Sequence, residues 1–315
     1  LHTVLIGVVA SVAWLAGIAT VAGWCSRFGW PWELASHFRV QYAVVLAVGT
    51  VVLGLAGRSA EALVLAALCA ANLWSLLPLY RRRIHGGAAK SFKVLSANLW
   101  HSNRSYDRIE RLLALAKPDV VFLAEVNQEQ LEGLQGLRET YPFAKGISIG
   151  KRNFGIIVIS RLPVETAEVV RIGGHGLPSV VARLRWNGQV VTLIGTHPAS
   201  PTTPRRLALR NRQLAAIAAF AARQSGPVMV VGDFNTTSWS AAFGELIAAS
   251  GLQDSRIGFG LQPTWPAWMP PMRIPIDHCL ISRELAVVAR RVGSFVGSDH
   301  YPVVVEVSIR GEART

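Results

Sequence analysis

PVMVVGDFN, residues 227–235, is a short apolar run that stops abruptly at a carboxylate and an amide two positions apart. Val228, Met229, Val230 and Val231 have the length and β-branching of a strand buried on both faces, and Gly232 permits a close turn where it ends. Residues i and i+2 of an extended segment point the same way, so Asp233 and Asn235 present an acid and an amide to one spot beyond the strand. Open α/β sheets place their ligands there. An ordinary strand followed by an Asx-turn reads the same way in isolation. The other acidic, amide and imidazole residues therefore decide the matter.

On the N-terminal side, residues 180–186 and 189–195 flank Asn187-Gly188, a strong hairpin signal, and the second arm runs into Thr196, His197 and Pro198. Residues 92–97 read as a strand that ends at Asn98, and residues 120–124 as a buried strand that ends at Glu125. A carboxylate there can hold a hard cation such as Mg²⁺, and an amide at a strand end can hold a metal or a phosphate. Between these strands the spacing predicts helices over 106–116, closed by Pro118, and over 127–140, where Leu131, Leu134 and Leu137 share a stripe. Residues 155–160 form a further strand. Helical spacing recurs over 203–224, with Arg205, Arg206, Arg210 and Arg212 near its start read mostly as a solvated basic face.

On the C-terminal side, residues 239–250 are a helix and 261–275 a Pro- and Trp-rich loop, too rigid and aromatic for a mere linker. Its Trp265 either walls a pocket or packs in a core. The loop delivers Asp277 and His278 to a strand, and Asp299-His300 stands directly before the final apolar run. Singly, each of these residues has a structural reading. Six strand edges carrying only Asn, Glu, His, Asp and Asp-His point together to one concave polar site.

The first third of the chain has a different character. Residues 4–24 carry no charge, and a helix of that length spans about 30 Å, the thickness of a bilayer core. Residues 40–57, between Arg39 and Arg58, and 62–80, closed by Arg81, Arg82 and Arg83, are similar runs, so three transmembrane helices are expected within an anchor over 1–83. Trp24, Trp30, Trp32, Trp74 and Tyr80 fall near their ends, at the headgroup level. Residues 84–91 have the small residues of a linker, 92–309 form the catalytic domain and 310–315 a tail. The chain is thus expected in the plasma membrane as a multi-pass protein. Its basic residues gather near the membrane on the side of the C-terminal domain, which leans that domain towards the cytoplasm.

The 315 residues are 51% apolar, with a formal net charge of +13 that favours anionic partners: nucleic acid, lipid phosphate or a membrane surface. Three cysteines, Cys25, Cys69 and Cys279, indicate neither a disulfide framework nor a thiolate metal site.

The ordered motifs SANLW, AEV, THP, GDFN, PIDH and GSDHYP resemble those of the endonuclease/exonuclease/phosphatase superfamily, from residue 92 to about 309. The resemblance implies an α/β fold, a four-layer sandwich of two mixed β-sheets covered by helices, and a Mg²⁺-dependent phosphoesterase, with Mn²⁺ as the alternative ion. Carried over residue by residue, it implies that Glu125 is the principal metal ligand, assisted by Asn98, with Asp299 in the outer shell. Asp233 would orient and deprotonate the attacking water, and Asn235 would fix the phosphate. His300, held by Asp277, would lie against the phosphate, and His197 would donate to a phosphate oxygen or the leaving group. His278 carries no role. The chain between His197 and Asp233 is too short for long substrate-recognition insertions. With the anchor, the match narrows to a bacterial membrane-attached branch thought to act outside the cell on lipid-linked phosphates, opposite to the side that the charge count favours. The expected activity is hydrolysis of a lipid-linked or membrane-near phosphate ester or pyrophosphate. The alternative is a membrane-attached endo- or exonuclease: from residue 91 onward 25 basic and 17 acidic residues leave a surplus of eight, although no basic cluster is interleaved with aromatics to grip a strand.

Overall fold

Strand alternation sorts side chains onto two faces, and a computed structural model, describing residues 2–81, 90–147, 155–174 and 176–310, shows what each face meets. The chain opens with helices α1 (His2–Trp24), α2 (Trp30–Ala35), α3 (Arg39–Leu55) and α4 (Ser59–Leu76). There follow β1 (Ser91–Asn98), α5 (Tyr106–Ala116), β2 (Val120–Ala124), α6 (Gln128–Gly133), β3 (Phe143–Ile147), β4 (Ile156–Ser160), β5 (Val164–Val170), β6 (Ser179–Trp186) and β7 (Gln189–Thr196). The last elements are α7 (Pro204–Ala222), β8 (Val228–Asp233), α8 (Ala241–Ser250), β9 (Gln253–Asp254), β10 (Asp277–Ile281), β11 (Leu285–Val292) and β12 (Val303–Ile309).

The strands form two six-stranded sheets, ordered β11-β12-β1-β2-β4-β3 and β5-β6-β7-β8-β10-β9. Each is mixed, with one parallel pair at its centre, β1/β2 in the first and β7/β8 in the second, and antiparallel pairs outside it. Met229 and Val231 of β8 point between the sheets, where they meet Phe122, Leu193, Cys279 and Val305. Val228 and Val230 point the other way, under Leu214 and Ile217 of α7 and Phe243 and Leu246 of α8. On the first sheet, Ile109, Leu112 and Leu113 of α5 cover Leu95, Val121 and Val304. The run at 228–231 is continuously apolar because both of its faces are buried.

Gly232 is where the sheets come closest to the site. Its φ is +140°, and a Cβ there would fall 1.8 Å from the Thr196 carbonyl oxygen. Only glycine lets β8 approach β7 at this point.

Five elements differ from the sequence expectation. The helix predicted over 127–140 ends at Gly133, with a 3₁₀ turn at Gln135–Arg138 after it, because Gly133 packs directly against the Tyr106 ring and carries little helix propensity. The helix predicted from residue 239 begins at Ala241. The outer strands β3, β5 and β11 were not anticipated: β3 is mostly exposed, β5 has no fully buried residue, and β11 carries a bulge between Val287 and Ala289, so none shows a clean apolar alternation. Of the predicted linker, residues 84–89 lie outside the described residues, as do residues 311–315 of the tail.

Two helices, His2–Trp24 and Ser59–Tyr80, are long and apolar enough to cross a membrane. The second expected span is shorter: α3 has 17 residues and ends in a turn at Gly57, whose φ is +75°. It lies between the other two, with Gly49 so close to Ala13 that a Cβ would sit 2.4 Å from the Ala13 Cβ. Small residues at such crossings let helices approach closely. The outward faces expose Val4, Leu5, Leu15 and Ile18 of α1, Val51 and Leu55 of α3, and Leu63 of α4.

Candidate active site

The sheet topology gathers the strand ends onto one rim. β1, β2, β7 and β8 run towards it and end at Asn98, Ala124, Thr196 and Asp233, whereas antiparallel β10 starts there, with Asp277 paired to Asp233. The turn before β12 supplies Ser298, Asp299 and His300. Ser298 pins this turn to β1, its hydroxyl donating to the Asn98 carbonyl at 2.7 Å and accepting the His300 N–H at 3.1 Å. Glu125 leaves the end of β2 with φ +56°, an unusual conformation for a non-glycine residue that turns its carboxylate into the cleft.

One oxygen is the hub of the rim. Asp233 Oδ2 lies 3.2 Å from Asn98 Nδ2, 3.5 Å from His197 Nε2 and 3.6 Å from His300 Nε2. Its other oxygen accepts the Asn235 N–H at 2.8 Å, and the Asn235 side chain donates to the Pro198 carbonyl at 3.0 Å. Asn235 holds φ +51°, so the amide that follows the acid is bent back into an Asx-turn, and catalytic and structural readings of GDFN coincide. Glu125 Oε1 accepts from Asn98 Nδ2 at 3.0 Å and lies 3.7 Å from His197 Nε2. Asn98 Oδ1 is occupied by the Trp100 N–H at 3.0 Å, which leaves the amino group bracing both carboxylates. Asp299 is held at the rim by the Trp265 indole N–H, 3.1 Å from its Oδ2.

Charge is distributed unevenly among these groups. Burial disfavours the His300 imidazolium, but Asp277, 2.8 Å from Nδ1, and Asp233 outweigh it and push the pKa up to about 10. Burial also raises the Asp277 carboxyl above its usual range despite the opposing charge of His300. Burial would raise Asp233 as well, yet the charges of His300 and His197 and the Asn235 N–H hold it well below the usual carboxylate range. Burial opposes a charged His197, but its hydrogen bond to Asp233 and the attraction of Asp233 and Glu125 lift it above the ordinary histidine value. The rim therefore offers a cationic His300 Nε2–H donor beside ionised Asp233, with His197 biased in the same direction.

All eight residues predicted for the site lie on this rim. His278 does not: alternation along β10 sends it to the opposite face from Asp277, where its Nε2 donates to the Thr236 carbonyl at 2.8 Å and its ring stacks 4.7 Å from Phe243. His101, in the turn after Asn98, was missed; its Nδ1 is 3.8 Å from Glu125 Oε2. So was the contribution of the first third of the chain. The cleft, about 920 Å³, is bounded on one side by Glu125, His197, Asp233 and His300 and on the other by Trp30, Leu34, His37 and Phe38. Glu33 of α2 is paired with Arg210 of α7 at 2.5 Å, both fully buried, and Arg210 donates to the Asn235 carbonyl at 2.8 Å. His37 bonds Thr237 Oγ1 at 3.0 Å, and the Trp30 indole donates to the Pro201 carbonyl at 2.7 Å. Arg210 shares the spacing of Leu207, Leu214 and Ile217, so it belongs to the buried stripe of α7; that spacing was the available signal.

The model of the endonuclease/exonuclease/phosphatase family matches residues 95–300. No curated protein matches at a significant level. Among solved structures, humanised TDP2 of D. rerio is similar at a TM-score of 0.59 and 19% identity, covering 70% of this chain and 100% of that one. An endonuclease/exonuclease/phosphatase from Bacteroides vulgatus superposes at 0.60 with 14% identity, over 70% and 100%. Sphingomyelinase C from Streptomyces griseocarneus gives 0.52 and 21%, over 69% and 99%. At these identities the likeness concerns the fold. The family match spans every strand end that builds the rim, and by it the chain belongs to the endonuclease/exonuclease/phosphatase family, as a metal-dependent phosphoric ester hydrolase.

Proposed function

We propose that this chain is a membrane-anchored phosphoesterase that hydrolyses a phosphate ester or pyrophosphate on a lipid-linked or membrane-near substrate. The observation that carries it is the packing of α2, in the loop joining two apolar helices, directly over the rim where Asp233, His197 and His300 converge. Three antiparallel helices, α1, α3 and α4, would cross the plasma membrane, with their exposed apolar faces towards lipid. Their shared end then holds the cleft at the bilayer surface, which raises the effective concentration of membrane-bound substrate.

The donor set fits a hard divalent cation. Glu125, Asp233 and Asp299 line the same cleft, and among the described residues no ion pair joins any of them to Lys or Arg. Oxygen-rich, undercompensated carboxylate is what Mg²⁺ or Mn²⁺ takes. Glu125 would be the main ligand, with Asp299 in support; Asn98, as oriented, holds Glu125 and Asp233 in place and would serve as a ligand only by turning its oxygen inward. When bound, the ion neutralises charge on the phosphoryl oxygens. Asp233 positions the attacking water and takes its proton. His197 and His300 donate from Nε2 to phosphoryl oxygens, and Asp277 keeps His300 protonated and aimed. Asn235 holds Asp233 through its own N–H and stands beside the phosphate. Such positioning and electrostatics suffice for phosphoryl transfer to water, without a covalent nucleophile.

Purified full-length chain in detergent, assayed with Mg²⁺ for phosphate release from a prenyl pyrophosphate and for nicking of plasmid DNA, tests the reading. Chelator-sensitive phosphate release supports it. DNA nicking without phosphate release would transfer the case to the nuclease alternative, which the surplus of eight basic residues supports.

A further inference from the structure

The cleft is much larger than a phosphoryl group, and its two sides differ in chemistry. One side is the polar rim. The other is made by Trp30, Leu34 and Phe38 from the loop between α1 and α3, facing Ile274 and Ile276, which are buried at the end of the Pro-rich loop. This apolar side is preformed. The Glu33–Arg210 pair, the His37–Thr237 bond and the Trp30–Pro201 bond fix α2 to the catalytic domain, and Gln41 at the start of α3 donates to the carbonyls of Pro271 at 3.0 Å and Arg273 at 3.2 Å. The end of α4 is tied as well: the Leu79 carbonyl accepts the N–H groups of Gly258 and Gly260 at 2.9 and 3.0 Å. The same segments expose Trp24, Phe28, Trp32 and Trp268, large aromatics of the kind that settle at a lipid headgroup layer. The cleft therefore joins the catalytic rim to the segment, ending at Phe38, that leads into α3.

We propose that the Trp30, Leu34 and Phe38 face is a subsite for the hydrocarbon chain of an amphiphilic phosphate ester, so that the anchor itself supplies half of the substrate specificity. This deepens the phosphoesterase reading and rests on it. The head of such a substrate lies against His197, Asp233 and His300, and its first carbons run along Leu34 and Phe38 towards the helix ends. Arg206, half-buried at the same cleft with its Nε bonded to the Ser200 carbonyl at 2.8 Å, keeps a cationic edge near the anionic head.

Binding of n-alkylphosphonates from methyl to octyl, measured calorimetrically on the full chain in amphipol with Mg²⁺, tests the subsite without requiring turnover. Each added methylene is expected to tighten Kd about fourfold until the groove is filled, by burial of apolar area. In Leu34→Gln and Phe38→Gln the gain per methylene falls below about twofold. A wild-type series that is flat with chain length, or a slope that both variants keep in full, overturns the subsite, and the wild-type series decides the matter if a variant does not fold. Release of p-nitrophenol from p-nitrophenyl phosphate is read in parallel. Turnover with a flat binding series removes the hydrocarbon subsite alone; neither turnover nor phosphonate binding removes the phosphoesterase reading together with it.

Discussion

Replacing Glu33 by Gln should both destabilise the protein and impair its site, although Glu33 lies outside the family match. Arg210 is fully buried, and its Nη2 is 2.5 Å from Glu33 Oε1, which also accepts the Thr236 hydroxyl at 3.3 Å. The substitution keeps the shape but leaves a buried guanidinium without its counter-charge, and breaking such a pair costs about 3–5 kcal/mol. For a chain of this size that corresponds to a fall in Tm of roughly 5–8 °C. Arg210 also holds the Asn235 carbonyl at 2.8 Å, so the loop that aims Asp233 loosens and kcat should drop about tenfold or more. Thermal unfolding in detergent and phosphate release on the same preparations read the two effects. The double variant Glu33→Leu/Arg210→Met, which removes both charges, should recover most of the stability and little of the activity. A Glu33→Gln protein that melts within about 2 °C of wild type, or that turns over at the wild-type rate, would refute the proposed link between anchor and site.

Three other outcomes are expected. Gly232→Ala should destabilise by about 3 kcal/mol or more, since its Cβ would collide with the Thr196 carbonyl and φ is +140°; a Tm like that of wild type would contradict the account of the β7–β8 approach. Burial, with the nearby Arg256 charge, pulls His278 down to about 3, so the folded state keeps it neutral where the unfolded chain binds a proton. Stability should then fall as pH drops below about 6.5 towards 3, by about 1.4 kcal/mol per pH unit, and Phe in place of His278 should flatten that slope in denaturant titrations at several pH values. His300→Ala should lower kcat by about 10²–10⁴-fold, whereas Asp277→Asn, which leaves the imidazole in place but without its counter-charge, should lose less activity than His300→Ala; both break a buried ion pair and should also lower the melting temperature. Equal losses in the two variants would show that Asp277 does more than hold the histidine.

Much of the catalytic rim was legible because the chemistry sits where the pattern changes. Asn98, Glu125, His197 and Asp233 each follow an apolar strand, and a polar residue at the end of a two-face-buried strand has few structural duties. The strand pairing that brings Asp277 opposite Asp233 could not be read from a single chain, but the clustering of their types could. The share of the N-terminal helices was illegible for a physical reason. Trp30 looked like an interfacial aromatic, yet its indole is spent on the Pro201 carbonyl, 171 residues away. Arg210 looked like one of several solvated arginines, although its place on the Leu207, Leu214 and Ile217 stripe put it inside. Its partner, Glu33, is 177 residues distant, and no local spacing announces such a pair. His278 shows the converse: adjacent to Asp277 in sequence, it is carried by strand alternation to the other face of the sheet.

The central claim is that carboxylate, amide and imidazole from six strand ends act together on one phosphoryl group with a divalent cation. Phosphate release by wild type and by Asp233→Asn, each stripped with a chelator and then titrated with Mg²⁺, tests it most directly. Wild type should be silent when stripped and regain turnover with added Mg²⁺, while Asp233→Asn stays at least about 10²-fold lower at saturating ion despite an unchanged melting temperature. Turnover that persists in the chelator, or an Asp233→Asn protein that recovers with the wild type, would contradict the claim.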